Sequence, residues 1–338
     1  TYMQDIDGSR ELEPRSRVIL LEDTDNDGRM DKRSVFIDKL LLPRMIQPLG
    51  DRLIVRETNT FDLYSYRDTN GDGVADEKKL VYEGGPCGGN LEHQPSGLEW
   101  NIDNWMYVSY TNRRYRWAGD HIEAGELPAG SGQWGVTHDD TGRNFFCTAG
   151  GENPAMAFQR PMVYGPISLP GEQADGFREV FPLVAIPDVQ GGFGRFRKDS
   201  LTLNGFTGCA GAHIYRGDRL PAGVYGDYII PEPVGRLVRR AKVVNEQGKI
   251  VVKNATPGTE FLRSRDANFR PVNAATGPDG CLYIVDMYRG IIQEGAWVAR
   301  GSYLRGVVEN YGLDKNIGRG RIYRIVHEST TRGPKPAM

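Results

Sequence analysis

Two acidic loops carry the sharpest chemistry in the sequence. Asp23-Thr24-Asp25-Asn26-Asp27-Gly28-Arg29-Met30-Asp31 puts carboxylates at loop positions 1, 3, 5 and 9 and glycine at 6. Asp68-Thr69-Asn70-Gly71-Asp72-Gly73-Val74-Ala75-Asp76 repeats the arrangement 45 residues later. Calcium asks for converging hard oxygens, a glycine for the sharp turn and a main-chain carbonyl at position 7. The expected donors are Asp23, Asp25, Asp27, Asp31 and the Arg29 carbonyl in one loop. In the other they are Asp68, Asn70, Asp72, Asp76 and the Val74 carbonyl. Position 12, where an EF-hand places a bidentate Glu, is Ser34 or Lys79, so these read as shorter calcium loops joining two strands. A metal-free Asp/Asn/Gly turn is the plain alternative.

Other residues have the types needed for acid–base work on a hydroxyl. His93, preceded by Glu92 and followed by Gln94, is the candidate base, and Arg270 is a candidate anion-holding guanidinium. His121, His138 and His327 show no partner signature.

The elements that must position these groups are short strands. Gly97-Leu98-Glu99-Trp100, Gly135-Val136-Thr137 and Asn273-Ala274-Ala275 each run through an Asn, Asp or Gly turn into an apolar strand. Met45-Ile46 turns at Gly50-Asp51 in the same way, and Val224 to Asp227 leads into Tyr228-Ile229-Ile230. Such turns tolerate positive φ, and spacings of roughly 40 to 50 residues per four-stranded unit indicate propeller blades. The 43 Gly and 20 Pro are spread along the whole chain, as frequent tight turns require. The reading is a single all-β domain over residues 1–338, a six-bladed β-propeller with long inter-strand loops. Its first blade is incomplete at the N-terminus, a long loop insertion covers about 150–206, and a tail covers about 328–338. No amphipathic helix of more than two turns stands out.

Composition narrows the function classes. A net charge of −2, from 42 basic and 44 acidic residues, gives no bulk reason for nucleic-acid binding. No apolar run approaches 18 residues, so no transmembrane segment is expected. None of the four Cys stands in a C-x-x-C-H arrangement, so covalent haem is not expected in this chain. Cys147 and Cys281 fall at second-strand positions that should be buried in separate blades, while Cys87 and Cys209 lie in loops and could pair. Residue 1 is Thr, and the chain reads as a processed or excised piece.

In a propeller the innermost strands run along the axis, so residues entering them line one mouth. Those positions are Arg44, His93 and Gln94, Gln133, Cys209 and His213, and Arg270. A second set follows the second strands: Glu57, Asn59, Glu152, Asn153, Glu232, Asp286, Tyr288 and Arg289. His93 and Arg270 are expected to face each other across one pocket, lined by Gln94, Gln133, Tyr288 and Arg289.

Glu92 to Leu98, Arg270-Pro271-Val272 and Gly277 to Asp286 are similar to the six-bladed soluble quinoprotein glucose/sorbosone dehydrogenase superfamily. From about Tyr2 to His327 the chain more closely resembles the propeller region of the "membrane-bound dehydrogenase" or PVC-type haem-binding proteins of environmental bacteria. The resemblance implies a bacterial, extracytoplasmic dehydrogenase oxidising a sugar or alcohol, with a cytochrome c domain or protein as electron acceptor. It implies His93 as the base and Arg270 as a ligand of pyrroloquinoline quinone. The family's companion Arg is Asn268 here, its blade-5 Lys falls in Pro233-Val234-Gly235, and its Arg-Asn pair is Ser131-Gly132. Two other readings stand beside it: a non-catalytic carbohydrate- or protein-binding propeller stabilised by calcium, and a hydrolase or lyase built on Glu57, Glu152 and Asp286. Extracellular calcium levels suit such loops and agree with the extracytoplasmic expectation.

Overall fold

The computed structural model describes residues 5–129, 132–148, 152–189, 191–292 and 297–331. Ser131 and the tail from residue 332 lie outside the described residues. The chain begins with an antiparallel hairpin, β1 (Ser16–Glu22) and β2 (Lys32–Leu40). The first blade follows as β3 (Met45–Leu49), β4 (Arg52–Arg56), β5 (Leu63–Arg67) and β6 (Glu77–Tyr82). The second is β7 (Ser96–Trp100), β8 (Met106–Ser109), β9 (Arg113–Trp117) and β10 (Ile122–Glu126). The third has three strands, β11 (Val136–His138), β12 (Asn144–Thr148) and β13 (Asn153–Met156). The fourth comprises β14 (His213–Ile214), β15 (Tyr228–Glu232), β16 (Leu237–Glu246) and β17 (Lys249–Asn254), with β18 (Leu262–Arg263) also paired to β16. The fifth is β19 (Pro271–Thr276), β20 (Leu282–Asp286) and β21 (Arg321–Ile325), with helix α1 (Tyr303–Tyr311) inserted before its last strand.

Blades consecutive in the chain pack face to face across apolar clusters. Met45, Ile54 and Leu63 meet Leu98, Met106 and Val108 between the first and second blades. Phe145 and Phe158 meet Ile214, Tyr228 and Ile230 between the third and fourth, and Ile229 and Val238 meet Ala274 and Ile284 between the fourth and fifth. The inner strands crowd together where they begin. Gly97 donates its N–H to Arg44 O (3.3 Å) and Gly211 donates to Trp134 O (2.7 Å). A Cβ on Gly135 would come within 3.2 Å of Gly211 Cα, and Gly135 has φ +129°, so this turn of the axis needs glycine twice over.

The molecule is an all-β propeller of five blades, which corrects the expectation of six. Among the described residues the β1–β2 hairpin has no inner strands behind it. The hairpin matches β5–β6 in its acidic turn and in register, with Glu22 opposite Lys32 and Arg67 opposite Glu77. The repeated turn therefore marks an outer strand pair, which sequence spacing counts as a blade. The insertion expected at about 150–206 packs into the core. Phe177, Val180, Leu203 and Phe206 are fully buried in the largest core cluster. Glu172 O accepts from Val252 N–H (2.8 Å) and Ala174 N–H donates to Val252 O (3.0 Å), so this segment covers the edge of β17. Helix α1 is an element the sequence reading lacks. Ser302 caps its start by accepting from Arg305 N–H, and Gly312 ends it in the left-handed conformation.

Candidate functional site

His93 sits where the chain enters β7, exposed at the mouth formed by the inner-strand starts. Its ring stacks on Tyr110 (centroids 5.8 Å apart, planes at 23°) and lies 6.0 Å from Trp134. Trp134 Nε1 donates to Glu92 O (2.9 Å), and Trp297 Nε1 donates to Glu92 Oε2 (3.1 Å). The Tyr110 hydroxyl is buried without a hydrogen-bond partner among the described residues, and burial pushes its pKa up. One patch therefore gathers an imidazole, three flat aromatic rings, a carboxylate and an orphan hydroxyl. Stacking faces beside polar groups are what the C–H faces and hydroxyls of a sugar meet in a binding site.

Arg270 does not join that patch. It is 1% exposed, and its guanidinium is occupied within the protein. Nε donates to Arg289 O (3.1 Å), Nη1 to Pro233 O (2.8 Å), and Nη2 to Asp188 and to Gly290 O. Asp188 also holds Arg236 (2.7 Å), so one buried carboxylate joins two buried guanidiniums. The stretch after β20 meets Arg270 through the Arg289 and Gly290 carbonyls, and further on Trp297 meets Glu92. Arg270 is thus committed to protein oxygens and turned away from solvent, whereas His93 is exposed. Two cavities of about 260 to 270 Å³ lie elsewhere, one lined by Leu220, Phe261 and Ile325, the other by Asp140, Ile214 and Val244.

The remaining expected lining residues are divided. Gln94 is fully buried and clamps Asn59, donating from Nε2 to Asn59 Oδ1 and accepting the Asn59 N–H at Oε1, both at 2.8 Å. Tyr288 donates to Asp266 Oδ2 (2.8 Å), with the Arg321 guanidinium over its ring. Arg289 is buried, which lowers its pKa, and it feels the charges of Asp5 and Glu11. Gln133 remains beside the aromatic patch, its N–H donating to Cys147 O (2.7 Å). The carboxylates considered for a hydrolase are engaged separately: Glu57 with Leu41 N–H, Glu152 with Arg195, and Asp286 with the Arg270 and Tyr288 N–H groups (2.7 Å each). Glu232 is spent on the Thr207, Gly208 and Val234 N–H groups.

The two acidic loops share one hydrogen-bond skeleton. The first carboxylate accepts from the glycine at position 6, Gly28 (3.0 Å) or Gly73 (2.8 Å). The last accepts from the N–H and hydroxyl of the Thr at position 2, which holds the Asp31 carboxyl below its usual range. In the first loop one oxygen each from Asp23, Asp25 and Asp27 lies within 4.8 Å of the others, a hard-oxygen set that fits a calcium ion.

A cluster of which the sequence reading singles out only His213 joins the inner strands β7, β11, β14 and β19. His138 Nδ1 is 2.9 Å from Arg216 Nη1, and its Nε2 is 2.9 Å from Trp100 O. Glu99 Oε1 is 3.7 Å from both His138 Nε2 and Arg216 Nη2. His213 Nε2 accepts the Thr276 N–H (3.0 Å). Burial pushes the Glu99 carboxyl up to about 7 against the pull of Arg216, and burial, Arg216 and His138 push His213 down to about 3. The available signal was polar residues on strands that otherwise face the axis.

Comparison with known proteins adds one decisive match. A family model, "Domain of unknown function (DUF7133)", matches residues 1–329. The chain belongs to that family. No curated protein matches. Solved structures similar to this family member include a luciferin-regenerating enzyme at 10% identity, covering 89% of this chain and 82% of that one with a TM-score of 0.46. Virginiamycin B lyase from Staphylococcus aureus has 15% identity, covers 83% and 80%, and has a TM-score of 0.39. The soluble aldose sugar dehydrogenase from Escherichia coli has 13% identity, covers 80% and 96%, and has a TM-score of 0.34. Likenesses this distant transfer no substrate and no residue role.

Proposed function

We propose that this propeller takes a sugar or similar hydroxylated small molecule on the His93 patch, with His93 accepting the proton of a ligand hydroxyl. The observation that carries this reading is the convergence of His93, Tyr110, Trp134 and Trp297 around Glu92. The resemblance of the sequence motifs to sugar dehydrogenases favours an oxidative outcome, in which a bound two-electron acceptor would take the hydride and a cytochrome-type partner outside the cytoplasm would then receive the electrons. Among the described residues no helix is long and apolar enough to cross a membrane. Pyrroloquinoline quinone does not fit the expected anchor, because every Arg270 nitrogen already donates to a protein oxygen. That same fact favours the second reading, a sugar-binding propeller without turnover.

Calorimetric titration with a panel of monosaccharides and alcohols tests the site. At least one should bind, and Trp134→Ala should weaken it at least tenfold. Absence of binding across the panel, or equal binding by the variant, overturns the patch as the site. Turnover with an artificial electron acceptor that disappears in His93→Ala, while binding persists, distinguishes catalysis from binding alone.

Calcium in the first acidic loop is part of the proposal, with a structural role in tying β1 to β2. Ligand binding to the native state alone raises the unfolding midpoint. A chelator should therefore lower it by about 5 °C, roughly the effect of a site near saturation. Asp25→Ala should remove the share due to this loop. An unchanged midpoint in protein shown to be metal-free would sink the calcium assignment.

A further inference from the structure

The four cysteines are all free and buried, and two of them meet. Cys147, in β12, and Cys209, just before β14, are 62 positions apart. The Cys147 thiol lies 3.4 Å from Cys209 O, and the Cys209 thiol lies 3.7 Å from Thr148 O. Each sulfur thus reaches the main chain of the other's segment. This replaces the Cys87–Cys209 pairing left open by the sequence, since the Cys87 sulfur instead sits 3.8 Å from Gly88 O.

The two thiols stand at the two ends of the long segment that covers the third and fourth blades. That segment carries Phe177, Val180, Leu203 and Phe206 into the core and brings Asp188 to Arg236 and Arg270. A bond between its ends would close it into a ring and remove conformations from the unfolded chain.

We propose that Cys147 and Cys209 are an oxidisable pair that forms a disulfide fastening this segment. The oxidant is a small disulfide of the glutathione type. One cysteine thiolate attacks it and releases the first glutathione thiol. The second cysteine then attacks the mixed disulfide and releases the second, so the protein loses two protons and two electrons and the oxidant becomes two thiols. Cys147 is 1% exposed and Cys209 0%, so exchange proceeds while the segment is open, during folding or local unfolding. The neighbouring Cys147 thiol and burial push the Cys209 pKa well above its ordinary range, which disfavours the thiolate in the closed state.

The test uses the full chain refolded from denaturant in oxidised and reduced glutathione, beside native protein held for days in oxidised glutathione. The expected result is a mass about 2 Da lower, a linked Cys147–Cys209 peptide after digestion without reductant, and a midpoint about 5 °C above that of the reduced protein. Cys147→Ala should lose the mass change and the reductant sensitivity together. Four alkylatable thiols after both treatments would overturn the proposal. Linkage through Cys87 or Cys281, or a midpoint unchanged by an intact Cys147–Cys209 bond, would do the same.

Discussion

Asp188→Asn is expected to cost about 3–5 kcal/mol of folding stability, the range for removing one partner of a buried ion pair. Asp188 and both guanidinium partners are at most 1% exposed at the side chain. The carboxylate bridges Arg236, in the turn before β16, and Arg270, at the entry to β19, with Asp266 adding a weaker attraction on Arg236. Burial and the neighbouring Arg270 push Arg236 down to about 10 even with Asp188 beside it. An amide keeps the shape and removes the charge, leaving two cations without their counter-ion. Burial opposes ionisation of Asp188, yet Arg270 and Arg236 together hold its pKa below the ordinary value. A depressed folded pKa means the stabilisation is complete above the unfolded value and fades as pH falls through the folded one. The penalty of the Asn variant should therefore be full at pH 7 and shrink in acid. Urea midpoints at several pH values measure both effects. A loss below about 1 kcal/mol at pH 7 would show that the two guanidiniums find other compensation.

The axial cluster makes a second prediction, in which two groups oppose each other. Glu99 is raised from 4.5 to about 7, so between those values the folded state binds more protons than the unfolded one. Its contribution is present in acid and disappears as pH rises towards 7. His213 is lowered from 6.5 to about 3, so there the unfolded state binds more protons. Its contribution is present above 6.5 and disappears as pH falls. Each is of order 1–3 kcal/mol, after discounting for the part of each side chain that still meets water. In the native protein the two slopes largely cancel between pH 5 and 6.5. Glu99→Gln removes one of them. The variant should be more stable than the parent at pH 8, where an ionised carboxylate no longer has to be buried, and should lose that advantage by pH 5. A difference between variant and parent that does not change with pH would show that Glu99 titrates normally.

How much of this was legible depends on the range of the interaction involved. The acidic turns, the hairpins and the β-propeller class rest on neighbours a few residues apart. The Asp279 carboxylate accepts from Cys281 N–H and the Tyr283 hydroxyl, and Asp103 does the same for Trp105 and Tyr107. Such local bonds are written into residue order, and they repeat where the sequence repeats. Helix α1 was missed although Ser302 and Gly312 mark both ends, because its nine residues interrupt an otherwise strand-rich stretch.

The sequence by itself therefore determined the β-hairpin repeat, the two acidic turns, the placement of His93 at a strand entry and a chain with no long apolar span. Only the tertiary structure decided the number of blades, because the β1–β2 hairpin carries the same turn signature as a complete blade. Only the tertiary structure decided the use of Arg270: its partner Asp188 lies 82 positions away, so nothing local shows whether the guanidinium faces a ligand or an internal carboxylate. The pairing of Glu99 with His138 and the meeting of Cys147 with Cys209 are of the same kind. Each depends on inner or second strands of different blades converging on the axis, where separation along the chain no longer measures distance.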